Sequence, residues 1–173
     1  MSLNTVNKLK TVKKNTAKLV EAELGRIPDA DQHVDDWSAY YTDVSEAERF
    51  VAETGIDTLA ISVGIVHGVP LTTPQPLDIE RIEAIKSVTG VPLVLHGASG
   101  IPEDEVRAAT AAGVHKFNAD TDLRHAFRAG VEAVWAKGDR QLEEAMAEGR
   151  ERMVAATVEK MDLYGCSGRA WGL

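Results

Sequence analysis

Three times along this chain a helix-compatible stretch ends in glycine, continues with a β-branched residue and passes into a short apolar run. The copies are Thr54-Gly55-Ile56, Thr89-Gly90-Val91 and Ala112-Gly113-Val114. A glycine in that position suits the left-handed residue that closes a helix, and the run after it has the length of a buried strand. Repetition of the unit predicts alternating strands and helices, hence a parallel sheet with helical crossovers, its apolar strands covered on both faces.

Start signals agree with the stop signals. Asp43 with Glu46 three residues on has the form of a capping box, Asp78 precedes the Ile79–Val88 pattern, and Pro102 suits a first helical turn. The spacing predicts strands near 19–24, 58–63, 92–95 and 116–118, with helices near 45–54, 79–88, 103–112 and 122–136 and a further helix over 139–163. Four strands fill an open sheet but not a closed eight-stranded barrel, which needs about 250 residues. The chain has 173, enough for one domain with a core. Residues 1–18 read as a separate Lys-rich segment, a helix remnant or tail without the apolar stretch of a secretory signal, and 19–173 as the domain.

In parallel α/β architectures functional groups gather at the carboxyl ends of strands. His67 closes the run Leu59–Val66 and is followed by Gly68; His96 closes Val91–Leu95 and is followed by Gly97-Ala98-Ser99-Gly100. The first strand ends in Glu21-Ala22-Glu23-Leu24-Gly25 and the fourth in Asn118-Ala119-Asp120-Thr121-Asp122. Two imidazoles and a carboxylate suit Zn²⁺ or another divalent ion, which makes His67, His96 and Glu23 the candidate ligands. The alternative is that each histidine only makes a hydrogen bond at a strand end. His33 in a loop, His115 before a strand and His125 on a helix read as surface residues. The Gly97–Gly100 loop offers unobstructed N–H groups and the Ser99 hydroxyl for a phosphate, although tight turns use the same residues. Asn118 and Asp120 suit substrate polar groups, the backbone of Ala119–Thr121 suits phosphate, and Asp122 reads as a helix cap.

Composition narrows the partners. A net charge of -8 argues against nucleic acid and anionic membranes. A single cysteine, Cys166, excludes an internal disulfide and fits a cytoplasmic setting, and no apolar run reaches the roughly 18 residues of a membrane span.

Taken in order, these segments resemble the class II, metal-dependent ketose-bisphosphate aldolases that act on fructose or tagatose bisphosphates. The resemblance rests on Val20-Glu21-Ala22-Glu23-Leu24-Gly25, Tyr41-Thr42-Asp43, Gly64–Gly68, Val91–Pro102, Lys116–Arg124 and Leu163–Gly168. It implies the C-terminal half of a TIM (β/α)8 barrel, about four parallel strands with covering helices, and zinc-dependent reversible cleavage of a phosphorylated ketose to dihydroxyacetone phosphate and an aldehyde. By the same resemblance His67 and His96 are zinc ligands, Glu23 serves an alternate metal position, and Gly68, Gly97, Ala98, Ser99, Asn118, Ala119, Asp120 and Thr121 hold dihydroxyacetone phosphate. The family's Asp-His-Gly motif, which carries the catalytic aspartate and the third zinc histidine, is expected upstream of Leu19 and has no counterpart in residues 1–18. No catalytic residue is assigned, with Glu21, Glu23 and Asp120 as the possible substitute bases. Arg26–Trp37 and Pro70-Leu71 also depart from the pattern, which leaves the preferred ketose open, and Arg150 reads as helix-surface charge ahead of a phosphate contact. A half-barrel exposes strand edges, so a homo-oligomer or a complementary half-barrel is expected. The competing readings are a noncatalytic half-barrel that binds phosphate or metal, and a different phosphate-binding α/β enzyme.

Overall fold

The computed structural model describes residues 9–10, 13, 18–68, 75–138 and 141–170. The expectations for Pro70-Leu71, for Asp139 and for the rest of 1–18 lie outside the described residues. The chain forms two compact units, 1–118 and 119–173. The first contains strand β1 (Glu21–Leu24), a 3-10 turn (Trp37–Ala39), helix α1 (Val44–Thr54), β2 (Thr58–Ile61), α2 (Ile79–Thr89), β3 (Leu93–Leu95), α3 (Glu103–Ala112) and β4 (Val114–Phe117). The second contains α4 (Thr121–Trp135) and α5 (Leu142–Leu163). The strands make one parallel sheet, as the repeat predicts, and their order in it is β1-β2-β3-β4.

Local chemistry sets the helix limits. Asp43 accepts from the Glu46 N–H at 2.8 Å and Asp78 from the Arg81 N–H at 2.9 Å, so both aspartates cap as expected. Pro102 sits at the N-cap of α3, one residue before the helix, and Glu103, Asp104 and Glu105 fill the first turn, where negative charge suits the helix dipole. Gly55, Gly90 and Gly113 all close their helices with positive φ.

One face of the sheet builds the core. Leu59, Ile61, Leu93, Leu95 and Val114, with Ala22, Leu24 and Phe117, pack against Ala47 and Phe50 of α1, Ile82 and Ile85 of α2 and Ala109 of α3. The other face departs from the expectation of apolar cover on both sides. Register aligns Glu23, Ala60, Val94 and Lys116 across the four strands, with Glu21 opposite Thr58. Side chains alternate along a strand, and the register shift between Val114 and Lys116 turns Lys116 to the same side, so these residues share the face turned away from the helices. Ala60 and Val94 are fully buried there beneath charged neighbours.

Strand β2 stops at Ile61, before the predicted Val63. Ser62 leaves the ladder because its N–H donates to Thr42 Oγ1 at 2.9 Å and its hydroxyl to the Arg26 carbonyl at 2.8 Å. Thr42 in turn donates to the Leu24 carbonyl at 2.6 Å. This buried latch ties together the ends of β1 and β2. Strand β4 begins earlier than predicted, at Val114, whose apolar side chain is buried in the core.

In the second unit Val131, Val134 and Ala145 form a small core with Phe127. The helices meet backbone to backbone, for a Cβ on Gly130 would lie 2.7 Å from the Gly149 Cα. Lys160 pairs with Asp122 at 2.6 Å, tying the last turn of α5 to the first turn of α4, so the two helices run antiparallel. No helix among the described residues is long and apolar enough to cross a membrane.

Candidate active site

Glu21 and Glu23 stand two residues apart on β1 and therefore project from the same face. The small Ala60 on the intervening strand leaves room for both to reach across β2. His96, immediately after β3, receives them: its Nδ1 lies 2.5 Å from Glu23 Oε2 and its Nε2 lies 3.1 Å from Glu21 Oε1. Lys116 on β4 donates to Glu21 Oε2 at 2.8 Å, and the Thr58 hydroxyl reaches the same oxygen at 3.4 Å. Four strands thus contribute to one charged cluster.

Burial raises the Glu21 pKa, but hydrogen bonds from Lys116 and His96 outweigh it and hold the carboxyl below its ordinary value. A depressed carboxylate stabilises the fold above the ordinary glutamate pKa and loses that contribution as pH falls through the lowered one. Glu21→Gln is therefore expected to flatten the acid limb of the stability curve as pH falls below the ordinary glutamate range of about 4.3. Urea titrations across that range test it, and an unchanged acid slope would refute it.

His67 lies elsewhere than predicted. It does not end a strand but sits six residues beyond β2, exposed, in a single bridge with Asp29. Its N–H donates to the Pro28 carbonyl at 2.9 Å and its carbonyl accepts from Ala30 at 3.0 Å. Its backbone is nonetheless close to the second histidine loop. A Cβ on Gly97 would lie 2.2 Å from the Val66 carbonyl oxygen and 3.6 Å from the His67 nitrogen. The loops after β2 and β3 are in contact. Among the described residues no group of three or more His, Cys, Asp or Glu side chains is arranged to hold a metal ion. Glu23 and His96 are brought together.

The substrate residues divide between the units. In the first, the Ala98 N–H donates to the Asn118 carbonyl at 3.0 Å and the Asn118 N–H to the Leu95 carbonyl at 2.9 Å. Asn118 therefore lies beside the glycine loop, and its carbonyl takes up the Ala98 amide. Ser99 is buried, and Gly68 takes a positive φ next to Ala30. An open cleft lies alongside, bounded by Gln32, Trp37, Ile65, Gly97, Ser99 and Ile101. In the second unit Ala119 precedes Asp120, the N-cap of α4, whose carboxylate takes the Arg124 guanidinium at 2.8 Å. Thr121 opens α4, and Asp122 pairs with Lys160 instead of capping.

The remaining histidines are peripheral to this cluster. His33 pairs with Asp35 on the surface, His125 is exposed on α4, and His115 lies within β4, not before it, with Nδ1 2.7 Å from the Gly113 carbonyl. Sequence reasoning passed over Lys116 and gave Glu21 no place beside His96. The available signal was polar residues at alternate positions of strands otherwise apolar.

Four parallel strands in sequential order with helical crossovers have the architecture of part of a TIM barrel. The class II fructose-bisphosphate aldolase pattern matches residues 3–169, and the chain belongs to that family. Among solved structures, the YdjI aldolase from Escherichia coli K12 is 32% identical with a TM-score of 0.79, the match covering 96% of this chain and 58% of that one. A candidate fructose-1,6-bisphosphate aldolase from Coccidioides immitis is 30% identical with a TM-score of 0.76, covering 96% and 59%. The fructose-bisphosphate aldolase Fba from Campylobacter jejuni shares the fold, at 22% identity and a TM-score of 0.74, over 94% and 56%. The chain thus spans less than two thirds of the length of these relatives.

Proposed function

We propose that this chain serves divalent-metal-dependent aldol cleavage of a phosphorylated ketose, releasing dihydroxyacetone phosphate and an aldehyde. The observation that carries the reading is the meeting of Glu23 and His96 beside the Gly97–Gly100 loop and its cleft. The donor set fits the ion in kind, since imidazole and carboxylate suit zinc and related metals. His96, His67 and Glu23 would hold it, once the His96–Glu23 hydrogen bond opens. Bound there, a divalent ion supplies Lewis-acid polarisation of the substrate carbonyl.

The chain's own groups do the rest. Gly68, Gly97 and Ser99 present backbone N–H groups and a hydroxyl to a phosphate, and the Asn118 amide suits a substrate hydroxyl or enolate oxygen. Ala98 adds small bulk to that loop. In the second unit the N–H groups of Ala119, Asp120 and Thr121 at the start of α4 are of the kind that bind phosphate. The exposed free Cys166 accords with a reducing, cytoplasmic setting.

The test is zinc stoichiometry on the purified chain together with retro-aldol assays on a panel of phosphorylated ketoses. About one ion per chain is expected, and His96→Ala should weaken binding by about 100-fold or more. Ion binding without cleavage would favour a noncatalytic role in binding metal and phosphate. Metal affinity unchanged in both His67→Ala and His96→Ala would overturn the site.

A further inference from the structure

We infer that the cleft beside the glycine loop takes the uncharged, polyhydroxylated end of a sugar, which makes the substrate a ketose carrying one phosphate instead of two. The inference rests on the aldol-cleavage reading above and names its substrate class. The cleft lies beyond the carboxyl ends of β1, β2 and β3, and the segment following each strand gives it a wall. Gln32 and Trp37 come from the first, Ile65 and Gln75 from the second, Ser99 and Glu105 from the third.

Charge decides against a second phosphate. Among the described residues that line the cleft there is no lysine, arginine or histidine, and the one formal charge is the Glu105 carboxylate. The stretches of sequence that supply the lining, 27–48, 50–80 and 87–106, contain no lysine or arginine. The N–H groups of the glycine loop can hold one phosphate at the cleft's edge. A second dianion further along would meet Glu105 with no counter-charge, and like charges in a partly enclosed site repel more strongly than in water. Glu105 is also held in place, since its Oε2 accepts the Leu77 N–H at 2.8 Å.

What remains suits a polyol, which offers C–H faces and hydroxyls. Trp37 supplies an aromatic surface, its ring set by tilted contacts with Tyr40 and Tyr41 at centroid distances of 6.4 and 6.5 Å. Ile65 adds a buried apolar wall. The side-chain amides of Gln32 and Gln75 and the Glu105 carboxylate are donors and acceptors for hydroxyls, and Gln32 is steadied by donating to the Tyr40 hydroxyl at 2.9 Å. Apolar walls with a few placed polar groups are the general make-up of a small-molecule site. Cleavage of a ketose seated this way releases dihydroxyacetone phosphate and an uncharged hydroxyaldehyde.

The test is ion-free binding of D-fructose 1-phosphate and D-fructose 1,6-bisphosphate, which differ only in the second phosphate, to the full chain. The Trp37 indole ¹⁵N–¹H resonance, assigned by its loss in Trp37→Phe, reports both affinity and place. The 1-phosphate is expected to shift that resonance and to bind about tenfold more tightly than the bisphosphate. Glu105→Gln, which keeps an acceptor oxygen for Leu77, should narrow the preference to about threefold or less. Gln75→Lys places a cation at an exposed position on the rim and should abolish or invert it. If Glu105→Gln fails to fold, Gln75→Lys carries the test. Equal or tighter binding of the bisphosphate by the wild type, an unmoved Trp37 resonance with the 1-phosphate, or a preference unchanged in the folded variants would overturn the inference. The underlying reading fails separately: binding in the expected order, with no retro-aldol cleavage of either sugar once Zn²⁺ is supplied, would overturn the aldolase reading and leave the cleft assignment standing.

Discussion

Gly97→Ala is expected to destabilise the first unit by about 4 kcal/mol or more, a large part of the roughly 5–15 kcal/mol that holds a domain of this kind together. Two costs combine at this position. The backbone has φ +62, which alanine adopts at a cost of about 1–2 kcal/mol. The larger cost is steric, because the new Cβ would lie 2.2 Å from the Val66 carbonyl oxygen, a backbone atom with no rotamer to relieve it. Gly90→Ala separates the two. Its φ is +69 with nothing within 4 Å, so it should lose only the backbone share. Urea denaturation of the pair measures the difference, and equal losses would show that the contact between the two histidine loops is looser than described. Gly97→Ala should also lose metal binding, since it forces apart the loops that carry His67 and His96.

Leu95→Ala comes next, with an expected loss of about 3–4 kcal/mol. Leu95 is fully buried on the helix-covered face, pairs in register with Phe117, and precedes His96 directly. Its truncation leaves a cavity under the end of β3, and the end of β3 is what carries the imidazole. The denaturant midpoint should fall with the slope unchanged, and Zn²⁺ affinity should fall with it. Val94→Ala removes a smaller side chain from the opposite face and should cost less. A Leu95→Ala loss below about 1 kcal/mol would show that the core closes around the gap.

Much of this architecture is local and therefore legible. Asp43, Asp78 and the glycines at 55, 90 and 113 act on the backbone within a few residues of themselves, so their meaning survives without knowledge of the fold. The meeting of Glu23 with His96 was also legible, because both lie at strand ends of a parallel sheet. What escaped is informative. The run Leu59–Val66 is apolar but for Ser62, and Val63 and Ile65 are buried, yet they lie in a loop. Apolar character reports burial and not strand pairing, so the predicted strand ran too far and placed His67 at its end. The Glu21–Lys116 pair escaped for another reason. It joins residues 95 positions apart, on the first and last strands of the sheet, and depends on register across all four. The division of Asp120 and Asp122 between Arg124 and Lys160 likewise needed helix geometry that a turn-like sequence does not display.

The sheet's strand order is also its chain order. Each strand pairs with the one made just before it, across a single intervening helix or loop, and none must wait for a later segment to supply its inner neighbour. During synthesis the sheet can therefore grow from one edge, strand by strand, as the chain leaves the ribosome. Lys116 emerges last of the cluster. The cluster of Glu21, Glu23 and His96 acquires its cationic partner only when the fourth strand docks.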